Sequence, residues 1–203
     1  MHDPRIDQLA RQLVRYSTAT KRGENVLIEL FDVPEEMGIA LIREIRAVKA
    51  TPFINIHNAK ISREIGRGAT EEQYAAIAKN AMHQMKNMDC YIAIRGSHNV
   101  NELSDVPAKK MQMLSTKMRP VLNERVNKTR WCVLRWPNPS MAQSAGMSTE
   151  AFEDFYFRVC LLEYKKLSRG MNALAKLMTE TNDVHIIGPG TDLRFSIAGL
   201  PGI

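Results

Sequence analysis

Side chains able to bind or to move protons gather where short apolar runs end. Asp32 follows Val26–Phe31, and His57 with Asn58 and Lys60 closes Pro52–His57. Arg95-Gly96-Ser97-His98-Asn99 follows Cys90–Ile94, and Trp136-Pro137-Asn138 follows Trp131–Leu134. If the runs are strands of an open parallel sheet, these positions share its carboxyl edge, where such sheets bind ligands. His57, Asn58, Arg95, Ser97, His98, Asn99 and Trp136 are therefore the candidate rim, facing either a substrate or another domain. Gly96 is its best backbone feature, because a residue without Cβ lets another body approach closely. Loops at strand ends are polar in any case, so the pattern alone assigns no catalytic role.

Other chemistries find less support. A co-catalytic metal site needs several converging carboxylates and imidazoles, often spaced as His-Glu-x-x-His. None of His2, His57, His83, His98 and His185 belongs to such a pair. Asp183 and His185 share one face of a run, a two-ligand beginning at most. Gly188-Pro189-Gly190-Thr191 lacks the lysine and following helix of a phosphate loop, and Pro189 removes an amide donor. It reads as a corner between strands. Neither a dinucleotide-binding glycine pattern after the first strand nor a Gly-x-Ser-x-Gly elbow is present.

The elements that must position the rim follow from periodicity. Asp3 and Pro4 start a helix whose Ile6, Leu9, Leu13 and Tyr16 share one face. A helix opening at Pro34-Glu35-Glu36 carries Leu41, Ile42, Ile45 and Val48, with acids at its positive end. Thr70-Glu-Glu-Gln73 matches a capping box ahead of Tyr74, Ile77, Ala81, Met85 and Met88. Pro107 to Asn127 reads as helical with an interruption at Pro120, and further helices start at Ser148 and span Leu167 to Met178. The methionines at helical spacing read as core fillers. Trp136, beside Pro137, reads either as core or as a seam with a following domain. Strands at Val26–Leu30, Phe53–His57, Tyr91–Ile94 and Cys132–Arg135, separated by helices, predict an α/β fold. Its sheet is mainly parallel with helices on both faces. From Asp183 the pattern changes to adjacent strands joined by a tight corner.

Composition narrows the class of partner. The net charge of +6 is spread over helix faces without an aromatic-basic motif, so nucleic acid is not an expected partner. No apolar run approaches membrane-spanning length, and the N-terminus is charged from Asp3 onward. Cys90, Cys132 and Cys160 are widely spaced within apolar patterns, which fits reduced thiols in a cytoplasmic protein.

Three segments carry a family resemblance. Trp136-Pro-Asn-Pro-Ser-Met-Ala-Gln-Ser-Ala-Gly-Met-Ser148 runs into Phe152-Glu-Asp-Phe155, and Gly188-Pro-Gly-Thr-Asp-Leu193 precedes Ser196-Ile-Ala-Gly199. The opening, Asp3-Pro-Arg5 with Tyr16-Ser-Thr18 before Gly23-Glu-Asn-Val-Leu-Ile28, agrees in style. Together they resemble the thermophilic-type metalloaminopeptidases, the aminopeptidase T family. The resemblance implies a two-domain, usually dimeric exopeptidase that removes N-terminal residues from peptides. Two divalent ions such as zinc or cobalt would be held in its C-terminal domain.

On that reading residues 1–182 are an N-terminal α/β domain and residues 183–203 begin the catalytic domain. The family's metal ligands fall beyond Ile203, so no catalytic or metal residue is assigned, and this stretch by itself is expected to be silent. The alternative is a stand-alone α/β binding module. Val184, Ile186, Ile187, Leu193, Phe195, Ile197 and Leu200 make the last segment too apolar for a free tail. It is expected to fold back or to associate with a second copy.

Overall fold

The computed structural model describes residues 3–200, which divide into two compact units, one ending at Leu161 and one beginning at Leu162. In the first unit, strands β1 (Asn25–Phe31), β2 (Thr51–His57), β3 (Cys90–Arg95) and β4 (Arg130–Arg135) form one sheet in the order β2-β1-β3-β4. All neighbouring pairs run parallel, in register from Asn25 against Thr51, Val26 against Cys90 and Cys90 against Arg130. The strands and the parallel pairing are those the periodicity predicts. Parallel strands need crossovers, and the helices supply them.

Alternation along β1 sorts its side chains between two cores. Val26, Ile28 and Leu30 enter a cluster with Leu9 and Leu13, Met37 and Leu41, and Tyr156 and Phe157. These come from α1 (Pro4–Gln12) with its π-helical extension Leu13–Ser17, from α2 (Glu35–Ala47) and from α7 (Thr149–Cys160). Leu27 and Phe31 turn to the opposite face, against Met82, Met85, Met88, Met118 and Val121. That layer is α4 (Glu71–Met85) with the turn that follows it at Met88, and α5 (Ala108–Lys128). Both faces are thus covered, and four of the methionines read as core fillers lie in this second core.

Caps end the helices where the sequence places them. The Asp3 carboxylate accepts from Arg5 N at 2.9 Å, Thr70 Oγ1 from Gln73 N at 3.2 Å and Ser148 Oγ from Ala151 N at 3.2 Å. At Pro120 the expected interruption does not occur, and α5 runs through it unbroken. Proline removes one amide donor from the ladder. Packing on both sides of it holds the helix, with Met118 and Val121 in the core and the Arg125 guanidinium 4.6 Å from the Tyr91 ring. Two further helices, α3 (Ala59–Gly68) and α6 (Pro139–Ser144), are short segments that periodicity does not mark. Each begins at an asparagine whose Oδ1 accepts a backbone amide: Asn58 from Ile61 N at 3.2 Å, and Asn138 from Met141 N at 3.0 Å.

At the amino ends of the strands a polar knot ties loop to sheet. Arg130 Nε donates to Thr18 O at 2.7 Å and its Nη2 reaches Glu24, with Cys90 Sγ at 3.1 Å. Burial pushes the Cys90 thiol above its ordinary pKa, so it stays protonated and behaves as a small core residue. All three cysteines are free thiols.

The second unit holds α8 (Tyr164–Glu180), β5 (Asp183–Gly188) and β6 (Thr191–Ser196). The two strands pair antiparallel from Asp183 against Ser196 to Gly188 against Thr191. Gly190 at the corner has φ +70°, which glycine adopts without steric cost. The Gly-Pro-Gly-Thr segment is therefore the strand corner its sequence predicts. Residues 201–203, the end of the expected apolar tail, lie outside the described residues.

Position within the sheet decides how much a side chain matters. Ile28, fully buried on the central strand, should cost about 2–5 kcal/mol when changed to alanine. Ile56, 73% exposed on the edge strand, should change stability by less than about 0.5 kcal/mol as alanine. Urea denaturation of both variants measures the contrast.

Candidate functional site

The carboxyl edge of the sheet is built around a close backbone approach. Gly96 N donates to Phe31 O at 2.7 Å. A Cβ on Gly96 would stand 2.3 Å from Asp32 O, so only glycine fits. Asp32 itself adopts φ +48° and turns its carboxylate onto the start of α3, where Oδ1 accepts from Ala59 N at 3.1 Å. The glycine singled out by sequence does admit a second backbone, and that backbone is the end of β1. In the chain order of this sheet the crevice would lie between β1 and β3. Here those strand ends touch.

His57, Phe31 and Arg95 meet at this edge. The His57 ring stacks on Phe31 with centroids 4.2 Å apart and planes 9° from parallel, and the Arg95 guanidinium lies 5.6 Å from the same phenyl ring. Nε2 of His57 is enclosed, 3.4 Å from Glu29 Oε1, within ion-pair range but outside hydrogen-bond geometry. Nε of Arg95 is likewise enclosed without a hydrogen-bond partner among the described residues.

Glu29 is the functional-type residue that sequence reasoning misses. It sits within the β1 run, and its Oε2 accepts from the Tyr91 hydroxyl at 2.5 Å. Asn55, opposite Glu29 on β2, donates from Nδ2 to Gln84 Oε1 of α4 at 2.9 Å. Burial pushes the Glu29 carboxyl up, but His57, Tyr91 and Asn55 outweigh it and leave the group below the ordinary carboxylate range. Burial and the Glu29 charge together push the Tyr91 phenol up, so it stays a donor. The available signal was a single acid inside an otherwise apolar strand, which must find partners once buried.

The remaining rim residues serve the chain itself. Asn58 is spent capping α3, and Ser97 offers its carbonyl 3.0 Å from the Ser140 hydroxyl, which also lies 2.7 Å from Asn138 Oδ1. His98 and Asn99 are exposed on the loop after β3, with Asn99 Oδ1 accepting from Asn101 N at 3.0 Å. Trp136 N donates to Arg95 O at 3.0 Å, and its ring meets Phe157 edge-on at 6.2 Å. Trp136 is therefore part of the packing around the first core. A separate hollow lined by Arg5, Gln8, Ala151, Asp154, Phe157 and Leu161 holds Arg5 between Asp3 at 2.8 Å and Asp154 at 2.5 Å. That guanidinium is already neutralised.

No group of three or more His, Cys, Asp or Glu among the described residues is placed to hold a metal ion. His185 pairs not with Asp183 but with Asp192 across the hairpin, Nε2 to Oδ1 at 2.7 Å. Two donors on an exposed hairpin do not make a co-catalytic site. His83 is exposed on α4, and His2 lies outside the described residues.

The sequence profile of the thermophilic metalloprotease family (M29) matches residues 2–199. The chain belongs to that family. Wild-type AmpT from Thermus thermophilus has a similar structure, with a TM-score of 0.75 at 17% identity, over 96% of this chain and 54% of AmpT. At that identity the likeness is one of fold, and the chain spans about half the length of AmpT. No curated protein matches the chain. Among the described residues no helix is long and apolar enough to cross a membrane.

Two measurements test the built parts of the edge. Gly96→Ala should destabilise the chain by about 1–3 kcal/mol, because the new methyl meets backbone rather than a movable side chain. For Glu29 the folded pKa lies below the unfolded one, so its contribution is complete above about pH 4.3 and disappears as pH falls through the folded value. The melting temperature should decline in that acidic window, and Glu29→Gln should be less stable at pH 7 with a flatter acid limb.

Proposed function

We propose that this chain is the N-terminal α/β part of a metal-dependent aminopeptidase that removes N-terminal residues from peptides. The observation that carries the reading is the family match over residues 2–199. The segments that resemble aminopeptidase T give it the narrower substrate class. On this proposal residues 1–182 form the supporting domain, and the catalytic domain opens with the hairpin from Asp183. Two divalent ions, zinc or cobalt, would belong to residues of that domain outside this chain. Among the described residues the donor set does not fit them, because His185 and Asp192 are only a pair.

The carboxyl edge then has a supporting role. His57, Arg95 and Phe31 form a rigid group whose outer face meets either the catalytic domain or the far end of a bound peptide. His98 and Asn99, exposed and on the adjoining loop, are the rim residues free to make that contact. Rigidity is what such an edge supplies, since a binding surface loses less on association when it is already ordered. The assembly is proposed as a cytoplasmic homodimer. Free thiols at Cys90, Cys132 and Cys160 support the reducing compartment.

The test separates the chain from the longer enzyme. The 203-residue chain should not hydrolyse amino-acid anilides with added zinc, cobalt or manganese, and none of these ions should raise its melting temperature. A protein extended to the length of AmpT should show metal-dependent turnover. Turnover by the chain alone would place a catalytic site within it. Absence of turnover in the extended protein would favour a binding module instead.

A further inference from the structure

We infer that the free edge of β2 is a strand-pairing surface for a second copy of this chain, joining the two four-stranded sheets into one continuous sheet through an antiparallel β2–β2 contact. The inference rests on the homodimer reading and names its surface. β2 is the outermost strand next to β1. Thr51 N donates inward to Glu24 O at 2.8 Å, and His57 O accepts from Asp32 N at 3.1 Å. Parallel strands alternate the side to which each residue turns its backbone groups. Thr51, Phe53, Asn55 and His57 therefore face β1, while Pro52, Ile54 and Ile56 turn theirs to the open side. What that side offers is a ladder of amides and carbonyls, which only another extended backbone satisfies along its length.

Three features select a second copy as that backbone. The first is self-complementarity. Antiparallel pairing about a twofold axis at Ile54 sets Ile54 against its own counterpart and brings each Ile56 amide to a Pro52 carbonyl. Proline, lacking a donor, falls at the ends of the ladder and leaves its centre intact. The second is charge. β2 reads Thr-Pro-Phe-Ile-Asn-Ile-His without a lysine, arginine or acid, and His57 is held toward Glu29. Two chains of net charge +6 repel, so a symmetric contact needs an uncharged strip such as this. The opposite edge strand, β4, begins and ends in arginine, the device that discourages edge pairing. The third is the apolar side chains on both sides of the strip. Phe53 and Ile54 are each 38% exposed and Ile56 is 73% exposed. Ile54 packs on Gly38 of α2, and the next residue, Ile39, is itself exposed. Strand pairing alone buries less than the roughly 1,200 Å² of a standard interface, and these isoleucines widen the contact.

Sedimentation velocity on the 203-residue chain, from about 1 μM to about 500 μM, tests the assignment across the range where a modest interface dissociates. The wild-type chain should show a reversible dimer. Ile56→Lys puts a charge on the uncharged strip opposite Pro52 of the other copy and removes apolar cover, and should weaken the dimer at least about tenfold. Ile56→Pro removes the outward amide without adding charge and should weaken it as well. Ile187→Lys, on the β5–β6 hairpin, should leave the dimer unchanged. Circular dichroism and melting temperature confirm that each variant is folded, which the exposure of Ile56 and Ile187 favours. A dimer insensitive to both Ile56 variants overturns the β2 assignment and leaves the homodimer standing. So does a dimer broken only by Ile187→Lys, which would place the contact on the hairpin. A dimer broken by lysine but not by proline overturns strand pairing as its mechanism. A chain monomeric throughout overturns the surface, and the homodimer reading is then decided by sedimentation of a protein extended to the length of AmpT.

Discussion

Everything in the first unit hangs on β1. It is paired on both edges, and its side chains supply the middle of both cores. A central parallel strand has no solvent-facing side, so every residue in it must be apolar or fully partnered. Val26, Leu27, Ile28 and Leu30 meet the first condition, each at most 1% exposed. Each such side chain contributes about 1.5–3 kcal/mol on burial. Phe31 and Glu29 then carry the strand's influence to the carboxyl edge, where His57, Arg95 and Gly96 arrange themselves around it.

Glu29 shows how that edge is held. An isolated carboxylate in this position would be neutralised or would unfold its surroundings. Here Tyr91 on β3 and His57 with Asn55 on β2 meet it, so strands on both sides of β1 converge on one side chain. Tyr91 in turn lies under Arg125, which approaches Trp131 at 6.0 Å. The network runs from one edge strand to the other beneath α4 and α5. Its members fix the register of the strands as well as their spacing, because a slip would strand a buried charge.

The two edges of the sheet differ in chemistry. β4 is bounded by Arg130 and Arg135, and Arg130 is further tied to Thr18 and Glu24. β2 has only Pro52 to blunt it. The family relation and the likeness to AmpT speak for the domain as a whole, whereas this asymmetry is a property of individual residues.

Much of the fold was legible from the order of residues. Four apolar runs separated by helical stripes determined a parallel sheet covered on both faces, and Asp3, Thr70 and Ser148 marked helix starts through local hydrogen bonds that need no tertiary context. Gly188-Pro-Gly-Thr likewise determined its own corner. The family was legible in the segment from Trp136 to Phe155 and in the hairpin. Tertiary structure decided the rest. Pro120 stays within α5 because Met118, Val121 and Arg125 pack on either side of it, an energy invisible to a local pattern. His185 found Asp192 rather than Asp183 because pairing across a hairpin, and not spacing along a strand, sets which side chains meet. The rim residues could be named from strand ends. That Gly96 meets Asp32, that Asn58 is spent on a helix cap and that His57 leans toward Glu29 depended on strand order, which brings together residues far apart in the chain.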